Sequence, residues 1–238
     1  MRRFIYIMVA GLLAVCPLAQ ADLGVEHSRV VQAGDSPVSV RVWNDGVRDS
    51  LVQAWIDVGD GAARPEQLKV PYVVVPPMFK LSPGRNRDIM IRAISGQSLP
   101  QDRESVFWLN ILDVPAGVRQ DTAPKLEYAV NWRIKVFHRP KNLKGSVDTA
   151  ASVVDWQIES SGETSRLIAR NPTPFHVSLA RLDLDGRQLL LEPSNALIAP
   201  FSEWSLPLHG DTEGVQLNFR WVDDAGRARN GQASVSGR

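Results

Sequence analysis

Four histidines, His27, His138, His176 and His209, stand far apart along the 238-residue chain, with none of the close spacings that gather imidazoles around a metal ion. Cys16 is the sole cysteine and lies in the apolar N-terminal stretch. Thiol catalysis, thiolate metal sites and disulfides are therefore excluded for a chain that has lost that stretch. No Gly-x-Ser-x-Gly elbow raises a serine nucleophile, and no Walker-type loop offers backbone N–H groups to a phosphate. The chemistry open to this chain is non-covalent recognition, and one run is built for it. From Leu126 to Val136 the even positions are apolar (Leu126, Tyr128, Val130, Trp132, Ile134, Val136), and the odd positions through Lys135 read Glu127, Ala129, Asn131, Arg133, Lys135. That is the period of a half-buried β-strand, longer than the usual five or six residues. Where its own domain covers only part of such a strand, the remainder is a docking edge for another chain.

The elements around this run are also strands. Val38–Val42, Val52–Val58, Val70–Val75, Asp88–Ile94 and Val106–Leu112 alternate or are densely apolar. Asn44-Asp45-Gly46, Asp60-Gly61, Ser82-Pro83-Gly84 and Pro115-Ala116-Gly117 punctuate them as turns. After Pro140 the segment Lys141–Lys144 is polar and aperiodic, and the strand rhythm resumes in Val153–Ile158, Ser165–Ala169, His176–Leu184, Gln188–Leu191 and Val215–Val222. No helix of more than a turn or two is expected beyond the N-terminal stretch. The reading is all-β, with two domains at 22–140 and 141–238. Residues 1–21 read as a signal peptide: Arg2-Arg3, an apolar Ile5–Leu18, then the cleavage signature Ala19-Gln20-Ala21. The apolar stretch is too short for a membrane span of about 20 residues, so export without membrane insertion is expected. Without Arg2 and Arg3 the balance is 25 basic against 26 acidic groups. With no basic tract, nucleic acid is not an expected partner.

Five runs carry a family resemblance. Leu99–Asn110 fits "LPxDRES-x-F-x-x-N", and Arg133–Pro140 fits "RIKxFxRP". Val74–Gly84 is similar to "PPxxRLxPG" with Lys80 in place of the usual Arg, and Asn171–Phe175 is similar to "NPTPY". Asp223-Asp224-Ala225-Gly226 stands where "NDYG" is usual. Occurring in the family's order over the whole mature chain, they resemble the periplasmic chaperones of the chaperone–usher pilus pathway, the PapD-like family.

The resemblance implies two immunoglobulin-like β-sandwich domains in a boomerang arrangement. It implies that Arg29 and Lys135 hold the C-terminal carboxylate of a pilus (fimbrial) subunit in the cleft between them. Two close cations repel each other until an anion arrives, which suits that task. It further implies that Leu126, Tyr128 and Val130 are inserted into the incomplete sandwich of the subunit, while Trp132 and Ile134 serve the chain's own core. Pro124 departs from the Asn common before this strand. Glu104, Arg139 and Asp224 match an ion-pair network that sets the angle between domains. Asp223 is an equally legal third member, and Asp224 is preferred for its distance from Gly226. By the same resemblance an outer-membrane usher receives the complex, the compartment is the periplasm, and neither ATP nor metal is needed. Self-dimerisation of the free protein through the apolar strand is a further expectation. The competing reading is a secreted Ig-like adhesin or structural pilus component, which shares the strand pattern but has no use for the Arg29/Lys135 pair. A β-sandwich hydrolase would need clustered carboxylates or histidines that the sequence lacks.

Overall fold

Alternating segments pair into four sheets, two for each of two sandwiches. The computed structural model describes residues 23–61, 65–94, 99–115, 128–161, 164–208 and 216–237. The signal sequence, Pro124 and Leu126 thus lie outside the described residues. In the first sandwich, β1 (Leu23–Val25), β3 (Val38–Asn44), β7 (Asn86–Ala93) and β5 (Tyr72–Val75) form one sheet in that order. The other runs β2 (Arg29–Ala33), β9 (Val130–Arg139), β8 (Ser105–Pro115), β4 (Ser50–Asp57), β6 (Met78–Leu81). The chain changes sheets between β1 and β2. This makes β2 the parallel edge partner of β9, whereas β8 pairs with β9 antiparallel on its other side. Val40, Val42, Ile89 and Ile91 from one sheet meet Val52, Ile56, Leu109, Ile111, Ile134 and Val136 from the other in a buried core. The period-two burial follows directly from the pleat.

After Pro140 a single turn of helix, α1 (Val147–Ala150), is capped by Ser146, whose Oγ accepts the Asp148 N–H at 3.3 Å. The second sandwich follows. One sheet orders β15 (Glu203–Leu208), β11 (Thr164–Arg170), β10 (Asp155–Ser161) and β18 (Ser236–Gly237). The other orders β13 (Arg187–Leu189), β12 (Val177–Leu184), β16 (Gln216–Val222) and β17 (Ala228–Ser234), with β14 (Leu197–Ile198) on β12. Its separate core gathers around Trp156, whose ring lies 6.1 Å from Trp204 and 5.7 Å from Phe219. Asp185 and Gly186, both at positive φ, close the β12–β13 hairpin. Among the described residues no helix is long and apolar enough to cross a membrane.

Two differences from the sequence expectation have physical causes. The long alternating strand is paired only from Val130, because the last rungs that β8 offers are Asp113 opposite Val130 and then Pro115 at its end. Tyr128 and Ala129 therefore precede β9. Strands β15 and β17, like the shorter β1, β2, β6, β14 and β18, were not read from the sequence; β15 contains Pro207, which an edge strand tolerates. β17 is a polar edge strand whose Gly231 lets the Phe219 ring lie across it.

Candidate functional site

The pleat of β9 divides its side chains between two tasks. Its even face enters the first core through Ile134 and Val136, with Trp132 packed against them. Its odd face presents Arg133, Lys135, Phe137 and Arg139, and Phe137 is buried although it belongs to neither core. Phe137 instead meets the His176 ring of the second sandwich, with centroids 5.5 Å apart. The odd face is therefore the one that meets the second sandwich.

Along that face, two of the three cations are neutralised and one is not. Arg133 donates from Nη2 to Asp57 Oδ1 at 2.6 Å and lies over the Trp108 ring. Asp57 is fully buried and also accepts the Gly59 N–H and the Asn110 amide. Arg139 donates from Nε to Glu104 at 2.6 Å and grips Asp224 with both remaining nitrogens at 2.6 and 2.9 Å. Burial opposes the charged form of Arg139, but Asp224 and Glu104 outweigh it and raise its pKa. Glu104 is buried too, and its second oxygen accepts the His176 N–H at 2.8 Å. Glu104, Arg139 and Asp224 thus form one network spanning both sandwiches.

Lys135, between these arginines, has no carboxylate partner among the described residues. Its register partner across the parallel β2–β9 pair is Arg29. Burial pulls the Lys135 ammonium below its ordinary range, and the charges of Arg29 and Arg133 add to that. Arg29 is lowered by burial as well, with Asp224 and Asp223 opposing. Its Nη1 donates to the Val222 carbonyl at 2.7 Å and approaches Ser178 Oγ at 3.5 Å, while its Nε is buried without a partner. These are neutral acceptors, so among the described residues neither cation has a counter-charge in contact. A carboxylate entering here gains charge-assisted bonds from both and relieves their repulsion. Among the described residues no group of three His, Cys, Asp or Glu side chains could hold a metal.

An unpaired strand edge begins where the cations stand. Among the described residues β9 is paired on both sides from Lys135 to His138, and from Val130 to Ile134 only β8 pairs with it. Five residues at about 3.3 Å each leave an open lane about 16 Å long. Past the end of the core Val130 is half-buried, and Tyr128 is 64% exposed.

Sequence reasoning did not single out Ser178, Val222, His176, Asp57 or Phe137. The one available signal was Phe137, an apolar residue on the polar parity of an alternating strand. Asp223 does not pair with Arg139; its carboxylate binds the Arg227 backbone N–H and the Arg227 and Arg229 side chains.

Residues 22–144 match the model of the pili and flagellar-assembly chaperone PapD N-terminal domain, and residues 149–233 that of the PapD pili assembly chaperone C-terminal domain. The chain is 33% identical over 232 residues to the chaperone protein FimB/FhaD of Bordetella pertussis, covering 95% of this chain and 93% of that protein. It is 34% identical over 222 residues to YadV of Escherichia coli K12, a fimbrial chaperone by name, covering 90% of each. The crystal structure of the Pseudomonas aeruginosa CupB2 chaperone superposes with a TM-score of 0.72 at 31% identity, covering 89% of this chain and all of that one.

Proposed function

Because the chain belongs to the PapD-like family of pilus-assembly chaperones, we propose that it is a periplasmic chaperone that captures pilus subunits through the β9 edge and the Arg29/Lys135 pair. The observation that carries this reading is the coincidence of an unneutralised cation pair with the first rung of an unpaired strand lane.

The lane also implies a direction. β2 leaves off at Arg29, and a peptide lying beyond it beside Val130–Ile134 has its terminal carboxylate at Lys135 and its preceding residues toward Val130. It therefore runs parallel to β9, in the lane that β2 vacates. The carboxylate sets the register, main-chain hydrogen bonds give general affinity, and alternate side chains give selectivity. Chaperone–pilin pairs are a known instance of this strand addition. Val130 and Tyr128 extend the even face beyond the chain's own core and, with Leu126 by the sequence pattern, supply apolar side chains to the subunit. The stabilisation comes from completing the subunit fold, so no nucleotide, metal or covalent step is required. Delivery to an outer-membrane usher completes the proposal.

The test is affinity capture of tagged, mature wild-type protein and of Arg29→Ala and Lys135→Ala from the periplasm of its host, with mass spectrometry of what co-purifies. Pilin chains are expected with the wild type and are expected to be lost, at least tenfold, from both folded variants. Equal capture by all three removes the carboxylate anchor. Absence of any pilin while pili are being made overturns the chaperone reading in favour of an adhesin.

A further inference from the structure

Arg29 lies on the first sandwich, but the groups that hold its guanidinium lie largely on the second. Nη1 donates to the Val222 carbonyl at 2.7 Å and approaches Ser178 Oγ, and the guanidinium lies 5.8 Å from the Phe137 ring that packs against His176. Val222 ends β16 and opens the turn 222–226. That turn is internally stiff. The Asp223 N–H donates to the Arg227 carbonyl, the Gly226 N–H donates to the Asp223 carbonyl, and the Asp223 carboxylate clamps Arg227 and Arg229. The residue after this clamp, Asp224, is the one that Arg139 grips with two nitrogens. The hydrogen bonds that the turn makes to Arg139 and to Arg29 are thus joined through its short, internally bonded backbone.

We propose that the 222–226 turn of the second sandwich positions the Arg29 guanidinium for the subunit carboxylate, with Asp224 and Arg139 acting as positioning residues through Arg29. The inference rests on the carboxylate-anchor reading above and deepens it. The network of Glu104, Arg139 and Asp224 then governs how well the terminal carboxylate is held, in addition to joining the sandwiches. An anchor assembled in this way is complete only when both sandwiches are docked.

The field of Asp224 and its positioning role predict opposite signs. Asp224 is an acid near an anion site, so Asp224→Asn should tighten carboxylate binding if only its charge matters. If the turn positions Arg29, the same change weakens it. The measurement is the affinity ratio of mature protein for an acetylated hexapeptide of alternating serine and valine ending in a free carboxylate, against its carboxamide twin, by NMR titration. The ratio isolates the terminal carboxylate from strand pairing. The wild type is expected to favour the carboxylate, and Asp224→Asn to reduce that preference roughly tenfold, the scale of one charged hydrogen bond. Arg139→Lys keeps every charge while losing the two-pronged grip, and is expected to reduce it likewise. This second variant also carries the test if Asp224→Asn fails to fold. A preference kept or increased in both folded variants overturns the positioning role and leaves the chaperone reading standing. A wild type that does not distinguish the two peptides overturns the anchor, and the positioning role with it.

Discussion

Lys135 differs from Arg133 and Arg139 in its surroundings, not in its charge. Each arginine meets a buried carboxylate, Asp57 or Glu104, whereas Lys135 meets another cation. A buried charge without its counter-ion is costly and persists where a ligand supplies the counter-charge. His138 shows the same principle without a ligand. It is buried opposite Gln32 with Nδ1 unpaired. Burial lowers its pKa, and the nearby Asp35 only partly opposes this. The unfolded chain, with an ordinary histidine near 6.5, therefore takes up a proton that the folded chain resists. This contribution to stability is whole above about pH 6.5 and is lost as the pH falls below that toward the folded value. The thermal midpoint of the wild type is accordingly expected to fall between pH 7.5 and 5.5, and that of His138→Leu to fall less. Parallel slopes in thermal unfolding would rule His138 out as the source.

At the scale of one element, β9 works as two strands laid end to end. Its C-terminal half is interior to a sheet, with β2 and β8 on either side, and among the described residues its N-terminal half is an edge. Exposed edges are managed in soluble proteins because they invite pairing, and here the open half is the lane proposed to take a subunit strand. In hydrogen exchange, amides of 130–134 facing away from β8 are expected to exchange faster than those of 135–139, and to become protected once a subunit is bound. Tyr128, outside the paired strand, is expected to matter only in the complex. Tyr128→Asp should leave the thermal midpoint of the free protein nearly unchanged, within the roughly 0.5 kcal/mol typical of surface sites, and reduce pilin capture several-fold. A lost fold or an unchanged capture would place Tyr128 elsewhere in the account. The parity of this element was legible from Leu126–Val136. Its division into closed and open halves was not, because that depends on where β2 and β8 end.

For the whole molecule, the two cores are separate, and hydrogen bonds and ion pairs join the sandwiches beside the Phe137–His176 ring contact. Arg139 links Glu104 to Asp224, the Glu104 N–H donates to the Pro174 carbonyl, and Arg29 reaches Val222. The turn also approaches the first sandwich sterically. Gly226 has φ +78°, and a Cβ there would lie 2.5 Å from Ser28 Oγ. Gly226→Ala is therefore expected to turn the Ser28 hydroxyl aside and to lower stability, with about 1 kcal/mol from the left-handed backbone alone. Adding Ser28→Ala removes the opposing oxygen and should recover part of the loss. Urea unfolding of the single and double variants measures the coupling, and additive effects would show that the contact is not made in solution.

The order of residues by itself determined an all-β chain, the face each residue of β9 takes and the family resemblance. Periodicity, turn residues and motif spacing are local properties, so they survive in one dimension. Only the tertiary structure decided which charges stand unneutralised. Arg29 meets Lys135 across a parallel pairing that no local pattern records, and Arg133 finds Asp57 on a strand far back in the chain. Asp224 is set apart from Asp223 by the direction each takes from the turn, toward Arg139 or toward Arg227 and Arg229. Electrostatic fate depends on distance in space, and distance along the chain says little about it once two sandwiches have folded against each other.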